Sequence, residues 1–220
     1  MQKVLILGAS GGIGSALVGA FESHGADVTP LSRSVDGFDI TDPVSVDAQL
    51  GTLSGYDGVV VATGALAFSD KGPEKTIKSI TPAEMERQFQ LNAMGPALVL
   101  RHAHRLLRRD GRSVFAVLSA RVGSIGDNRL GGWISYRAAK AALNQIVRTS
   151  AIELARTHKQ SVVVALHPGT VATAFTQNYA GRHATVPPAE AADNLLRVLA
   201  DRTPQDTGKF FDWQGKEVPW

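Results

Sequence analysis

Val4-Leu5-Ile6-Leu7 runs without a break into Gly8-Ala9-Ser10-Gly11-Gly12-Ile13-Gly14. The aliphatic run has the continuous pattern of a strand covered on both faces. Gly8, Gly12 and Gly14 then give GxxxGxG, and Gly8, Gly11 and Gly14 also fit a looser spacing. Glycine here permits a tight turn, close backbone approach to a pyrophosphate, and tight packing of a helix on the strand. Backbone N–H groups at the start of a helix beginning near Ile13 then face the phosphates. Gly8, Ser10, Gly11, Gly12, Ile13 and Gly14 are therefore expected to hold a dinucleotide; the alternative is a purely structural turn.

Outward from this stretch, short apolar runs alternate with helical patterns. The strand candidates are Lys3–Leu7, Asp27–Leu31, a brief Gly37–Ile40, Gly58–Ala62, Ser113–Leu118, Ser161–Leu166 and Gly208–Asp212. Helices are expected near Ile13–His24, Val44–Leu50, Pro82–Arg109, Ser135–Thr157 and Ala189–Ala200. Thr81-Pro82 with Glu84 marks a helix start, a cap followed by proline in the first turn. The alternation predicts an α/β fold: a Rossmann-type, doubly wound parallel sheet of about seven strands with helices on both faces. No repeat, low-complexity tract or linker interrupts the pattern, so residues 1–220 are expected to form one domain.

The second strand candidate ends in Leu31-Ser32-Arg33-Ser34. An acidic residue there suits a free ribose 2′-hydroxyl, whereas an arginine suits a 2′-phosphate. Arg33 can make a forked, charge-assisted contact to phosphate, so NADP(H) is expected in preference to NAD(H). Asp39 and Ile40, at the third strand candidate, are placed to frame an adenine. Ala62-Thr63-Gly64-Ala65 is a second small-residue turn where a nucleotide can approach.

Tyr136 and Lys140 stand four apart in Ser135-Tyr136-Arg137-Ala138-Ala139-Lys140. On a helix they share one face. A phenol titrates near ~10, too high for ready proton exchange at neutral pH. An adjacent ammonium favours the phenolate and lowers that value, which would make Tyr136 a general acid or base. The plain alternative is a core tyrosine beside a surface lysine.

At these residues the chain resembles the short-chain dehydrogenase/reductase family along almost its whole length. The resemblance rests on the glycine turn, Asn92 in Leu91-Asn92-Ala93, the Tyr136/Lys140 pair and Pro168-Gly169 in His167-Pro168-Gly169-Thr170. Ser119-Ala120-Arg121-Val122-Gly123-Ser124-Ile125-Gly126-Asp127-Asn128 and Gly131-Gly132-Trp133 are similar to its sniffer-like carbonyl reductase and C-factor branch. The resemblance implies hydride transfer between a nicotinamide and a carbonyl or alcohol. In it Tyr136 passes the proton, Lys140 tunes Tyr136 and holds the ribose, and Asn92 supports a water. A serine after the fifth strand hydrogen-bonds the carbonyl. Pro168, Gly169, Thr170, Val171 and Thr173 would contact the nicotinamide end, and pairing into a homodimer or homotetramer is implied. The chain departs from the family at three places. Leu7 replaces a threonine, and Ala62-Thr63-Gly64-Ala65 replaces an Asn-Asn-Ala-Gly turn. Ser119-Ala120 replaces a pair of serines, and alanine donates no hydrogen bond. Ser119 and Ser124 both stand as the hydroxyl. The C-factor likeness and Ala120 also keep open a nucleotide-binding signalling protein with little turnover.

Composition removes other chemistries. The 220 residues contain no cysteine, which excludes disulfides and thiolate catalysis. The histidines are scattered, so no metal site is expected. No apolar stretch approaches the ~20 residues of a membrane helix. A cytoplasmic protein with a small-molecule carbonyl or alcohol substrate is expected. The net charge is +3, with Arg101, Arg105, Arg108 and Arg109 mostly on one helix face. That face reads as solvated or as a subunit rim, with no nucleic-acid partner. The segment Ala172–Thr185 has the small and polar residues of a lid over the substrate. Trp133, Phe175, Tyr179, Trp213 and Trp220 are candidates to line a pocket.

Overall fold

The computed structural model describes residues 1–68, 72–173, 176 and 185–220. Among these, six strands form one parallel sheet: β1 (Lys3–Leu7), β2 (Asp27–Leu31), β3 (Gly58–Val61), β4 (Ser113–Leu118), β5 (Ser161–His167) and β6 (Phe210–Asp212). Their spatial order is β2-β1-β3-β4-β5-β6. The helices are α1 (Gly12–Ser23), α2 (Arg33–Asp36), α3 (Pro43–Leu50), α4 (Pro82–Phe89), α5 (Gly95–Leu100), α6 (Ala103–Leu106), α7 (Ile134–Leu154) and α8 (Pro188–Asp201).

Parallel pairing forces crossovers, and the helices in them cover both faces. On one face Val46, Leu50, Val99, Leu106, Leu143 and Val147 pack against Leu5, Val59, Phe115 and Val163. On the other, Leu17 and Phe21 of α1 and Leu195 and Leu199 of α8 pack against Val4, Ile6, Val60 and Val164. Each fully buried aliphatic side chain contributes roughly 1.5–3 kcal/mol. β1 lies between β2 and β3, so the chain leaves it to one side and later returns to the other. Such a switch opens a crevice beyond the carboxyl ends of the strands.

Two expectations are corrected. Gly37–Ile40 forms no strand, so the sheet has six strands and not seven. Pro30 within β2 offers no N–H, which confines β2 to the sheet edge. The segment beyond it turns instead, with Phe38 N donating to Ser32 O at 3.1 Å and Asp39 N to Ser45 Oγ at 3.0 Å. The unforeseen α2 opens that turn, with Ser32 Oγ accepting from Val35 N at 3.3 Å. The single helix expected over Pro82–Arg109 is also broken. Thr81 caps α4 as read, its Oγ1 accepting from Glu84 N at 3.3 Å. A π-turn then spans Gln90–Met94 before α5. Pro96 explains the break: in an unbroken α-helix its ring would meet the carbonyl four residues back, that of Asn92. On the expected solvated face, the Arg101 and Arg108 side chains are 51% and 40% exposed and carry local partners. Arg101 pairs with Asp47, Arg105 donates to Leu50 O at 2.8 Å, and Arg108 pairs with Asp57 at 2.8 Å.

Candidate active site

A cavity of about 870 Å³ opens at the carboxyl ends of β1, β3, β4 and β5. Gly11, Gly12 and Ile13 line it from the glycine turn, and Ala62, Thr63 and Gly64 from the turn after β3. Ser119, Tyr136 and Lys140 line it further along, as do Pro168, Gly169, Val171 and Thr173 after β5. Gly8, Gly14 and Ser10 are not in its wall; the two glycines close the turn. Gly8 has a φ of +90°, and its N–H donates to Leu31 O at 2.8 Å. A Cβ on Gly14 would lie 2.1 Å from Gly8 O, and one on Gly12 would lie 2.6 Å from Thr173 Cγ2. Only hydrogens fit there, so backbone N–H groups at the start of α1 stay open to the cavity. That bare backbone, with the buried and unpartnered Thr63 Oγ1 nearby, fits a phosphate-bearing group.

Arg33 sits exposed at the start of α2, two residues past Leu31, whose carbonyl binds the glycine turn. Among the described residues no carboxylate lies within ion-pair distance of it. Asp39 lies close by; its carboxylate accepts from Thr41 Oγ1 at 2.7 Å and from Thr41 N at 2.9 Å, and these bonds with the field of Arg33 hold it below its ordinary value. Ile40 is core: it is 4% exposed and packs against Gly95, where a Cβ would meet its side chain at 3.1 Å. Neither Arg33, Asp39 nor Ile40 belongs to the cavity wall.

The π-turn carries Asn92 inward. Its Nδ2 donates to Ala65 O at 2.9 Å and to Gln88 Oε1 at 2.7 Å, leaving buried Oδ1 without a partner. A Cβ on Gly64 would lie 2.9 Å from Asn92 Oδ1 and 3.7 Å from Lys140 Nζ. Both groups therefore converge on one point beside Gly64. Lys140 Nζ also donates to Leu118 O at 2.9 Å and stands 5.8 Å from the Tyr136 ring centroid. Tyr136 and Lys140 are 5% and 3% exposed. Burial lowers the Lys140 ammonium to about 7 and raises the Tyr136 phenol above its ordinary range. Desolvation disfavours the charged form of both groups, which works against the expected lowering of Tyr136 by a charged Lys140.

The hydroxyl after β4 is Ser119, which lines the cavity. Its Oγ donates to Asn144 Oδ1 at 2.6 Å, and Asn144 Nδ2 donates to Gly123 O at 3.3 Å, which fixes the amide's orientation. Ser124 is buried outside the cavity wall, with its Oγ accepting from Asp127 N at 3.1 Å. Ala120 lines the cavity and brings no hydroxyl to it.

Four neighbours were not singled out from the sequence. Asn144 continues the Tyr136/Lys140 spacing by one further turn, a signal that was legible. His167 continues the register Leu118↔Leu166 beside Ser119 and pairs with Asp212. Its Nδ1 is buried without a partner, and burial, with Arg121 nearby, lowers its ring to about 4. Glu74 and Arg137 brace the start of α7, and only the folded chain brings Glu74 there. Trp133 lines the cavity, and Trp213 packs on Gly169. Phe175, Tyr179 and most of the lid candidate Ala172–Thr185 lie outside the described residues. Among the described residues no His, Asp and Glu cluster could hold a metal, and no helix is long and apolar enough to cross a membrane.

Residues 31–210 match the family model described as enoyl-(acyl carrier protein) reductase. The whole chain is 31% identical over 236 residues to the full length of 1-hydroxy-2-glutathionyl-2-methyl-3-butene dehydrogenase from Rhodococcus sp. (strain AD45). It is 39% identical over 138 residues to C-signal of Myxococcus xanthus, covering 63% of this chain and 80% of that one. Its fold superposes, with a TM-score of 0.82 and 25% identity, on a short-chain dehydrogenase/reductase from Burkholderia multivorans with bound NADP, covering 100% and 99% of the two chains. The chain belongs to the short-chain dehydrogenase/reductase family of NAD(P)-dependent oxidoreductases.

Proposed function

We propose that this chain is an NADP(H)-dependent reductase of carbonyl compounds, or dehydrogenase of the matching alcohols, with Tyr136 as proton donor and acceptor. The observation that carries the reading is one cavity lined by both the glycine turn and the Tyr136/Lys140 pair. Gly11, Gly12 and Ile13 would hold the pyrophosphate with backbone N–H groups. Exposed Arg33, beside that turn, would take a 2′-phosphate, and the NADP bound by the Burkholderia multivorans relative supports this choice. Thr63, Gly64, Pro168, Gly169, Val171 and Thr173 would flank the nicotinamide half. When bound, the reduced nicotinamide supplies the hydride.

Burial raises the Tyr136 phenol and so keeps it protonated at neutral pH; a nascent alkoxide is the stronger base and would take that proton. Lys140, lowered to about 7, exchanges a proton near neutrality and can restore the phenol. Asn92 Oδ1, on the same point as Lys140 Nζ, would orient that exchange. Ser119 gives its hydrogen to Asn144. Polarisation of the substrate oxygen therefore falls mainly on Tyr136. We further propose that residues 1–220 act as one domain, in a cytoplasmic homodimer or homotetramer.

A second reading is a nucleotide-binding signalling protein with little turnover. The C-signal relative and the inward bond of Ser119 favour it. Purified protein given NADPH and a panel of aldehydes and ketones separates the two. Steady NADPH oxidation with at least one carbonyl is expected. Saturable NADPH binding without oxidation across the panel would favour the signalling reading instead.

A further inference from the structure

Trp133 is the one non-glycine residue with positive φ among the described residues, at 53°. It follows Gly131 and Gly132, whose φ values are 64° and 66°. Three consecutive left-handed residues lead directly into α7. Glycine enters this region freely, whereas a side-chain-bearing residue is strained there. Such a conformation persists only where its surroundings over-determine it, and it collects at ligand clamps.

The surroundings here are two charged side chains. Glu74, far away in sequence, is 8% exposed against the start of α7. Its backbone carbonyl accepts from Trp133 N at 2.5 Å, and its carboxylate accepts from Ser135 Oγ and from Ser135 N at 3.4 Å. A carboxylate at that end of the 21-residue helix also meets the positive end of its dipole. Arg137 closes the other side. Nε donates to Gly132 O at 2.9 Å, Nη2 to Gly131 O at 3.1 Å and Nη1 to Val122 O at 3.1 Å. Tyr136 stands between Ser135 and Arg137, so the same clamp sets the acid and the Trp133 side chain together. Trp133 lines the cavity along with Leu66, Val122 and Leu130.

Resting on the reading of the chain as a carbonyl reductase, we propose that Trp133 is its specificity-determining wall. The indole selects substrates with a flat, apolar group, such as aryl ketones, by offset stacking. Glu74 and Arg137 are positioning residues that hold this wall in its left-handed turn.

The experiment compares acetophenone with butanone as substrates under saturating NADPH. Trp133→Gly suits a positive φ, so the fold and NADPH affinity should persist. It should lower kcat/KM for acetophenone by about tenfold or more and for butanone by less than about threefold. Glu74→Ala should collapse the same ratio and speed amide hydrogen exchange at Trp133 and Ser135. Glu74→Gln, which keeps an acceptor for Ser135, should retain most of the ratio. Saturation-transfer NMR of acetophenone with wild type and Trp133→Gly reads the wall without turnover. An unchanged ratio in Trp133→Gly, or unchanged acetophenone contact, would overturn the proposal for Trp133. Faster exchange with an unchanged ratio in Glu74→Ala would overturn the role of Glu74. A wild type that binds acetophenone through Trp133 yet reduces no ketone would support the wall and remove the reductase reading.

Discussion

The two ends of the cavity are built by opposite means. At the glycine turn the backbone does the positioning, and what matters is the absence of side chains: no Cβ fits on Gly12 or Gly14. At α7 the side chains do it, through a buried set in which Ser119, Asn144, Lys140 and Glu74 all have partners. The first end is rigid because nothing can be added to it. The second is rigid because these four side chains are satisfied in low dielectric, where removing one partner leaves another exposed to the full desolvation cost. The first end therefore fails by steric insertion and the second by electrostatic change.

The largest effect should come from insertion. Gly14→Val places atoms within the 2.1 Å between its Cβ position and Gly8 O. We expect loss of NADPH binding, with a stability loss of about 1–3 kcal/mol or more, measured by calorimetric titration and denaturant melts. Gly19→Val is the control, since nothing lies within 4 Å of a Cβ there. Near-native binding in Gly14→Val would break the contrast between the two ends.

Arg33→Ala tests charge at the backbone-built end. Loss of a hydrogen bond to a charged group is worth about 1.5–3 kcal/mol, so NADPH affinity should fall roughly 10- to 100-fold while NADH affinity barely changes. An equal effect on both cofactors would remove Arg33 from the 2′-phosphate.

His167 tests the desolvated end. Its folded value of about 4 lies below the ordinary 6.5, so the fold favours the neutral ring. The unfolded chain then binds more protons between those values, and stability falls as pH drops from about 6.5 to about 4. His167→Gln should flatten that slope in Tm against pH by several degrees. A slope that His167→Gln leaves intact would assign the acid sensitivity elsewhere.

Ser119→Ala should have the smallest effect, lowering kcat by less than about fivefold, because its hydrogen is donated to Asn144 rather than toward the substrate. A loss of about a hundredfold, typical of an oxyanion donor, would show that the hydroxyl turns into the cavity during the reaction.

Much of this was legible in the sequence. The glycine turn after an aliphatic run and the Tyr136/Lys140 spacing located both ends of the cavity because each depends on local geometry. The misses have physical causes. Gly37–Ile40 has apolar alternation, but Pro30 denies it a partner and its apolar residues go to the core. The Pro82–Arg109 periodicity runs through Pro96, which breaks the helix and turns Asn92 inward. The sign of the Tyr136 shift depends on burial, which pairwise spacing does not report. Glu74 reaches Ser135 across 61 positions, beyond any local pattern.

The most direct test of the account is Tyr136→Phe, measured for NADPH affinity and for kcat on a carbonyl that the wild type reduces. Removal of the phenolic proton should leave NADPH affinity within about twofold and lower kcat by about 10²–10⁴, the usual range for a general acid. Unchanged kcat in Tyr136→Phe would contradict the account.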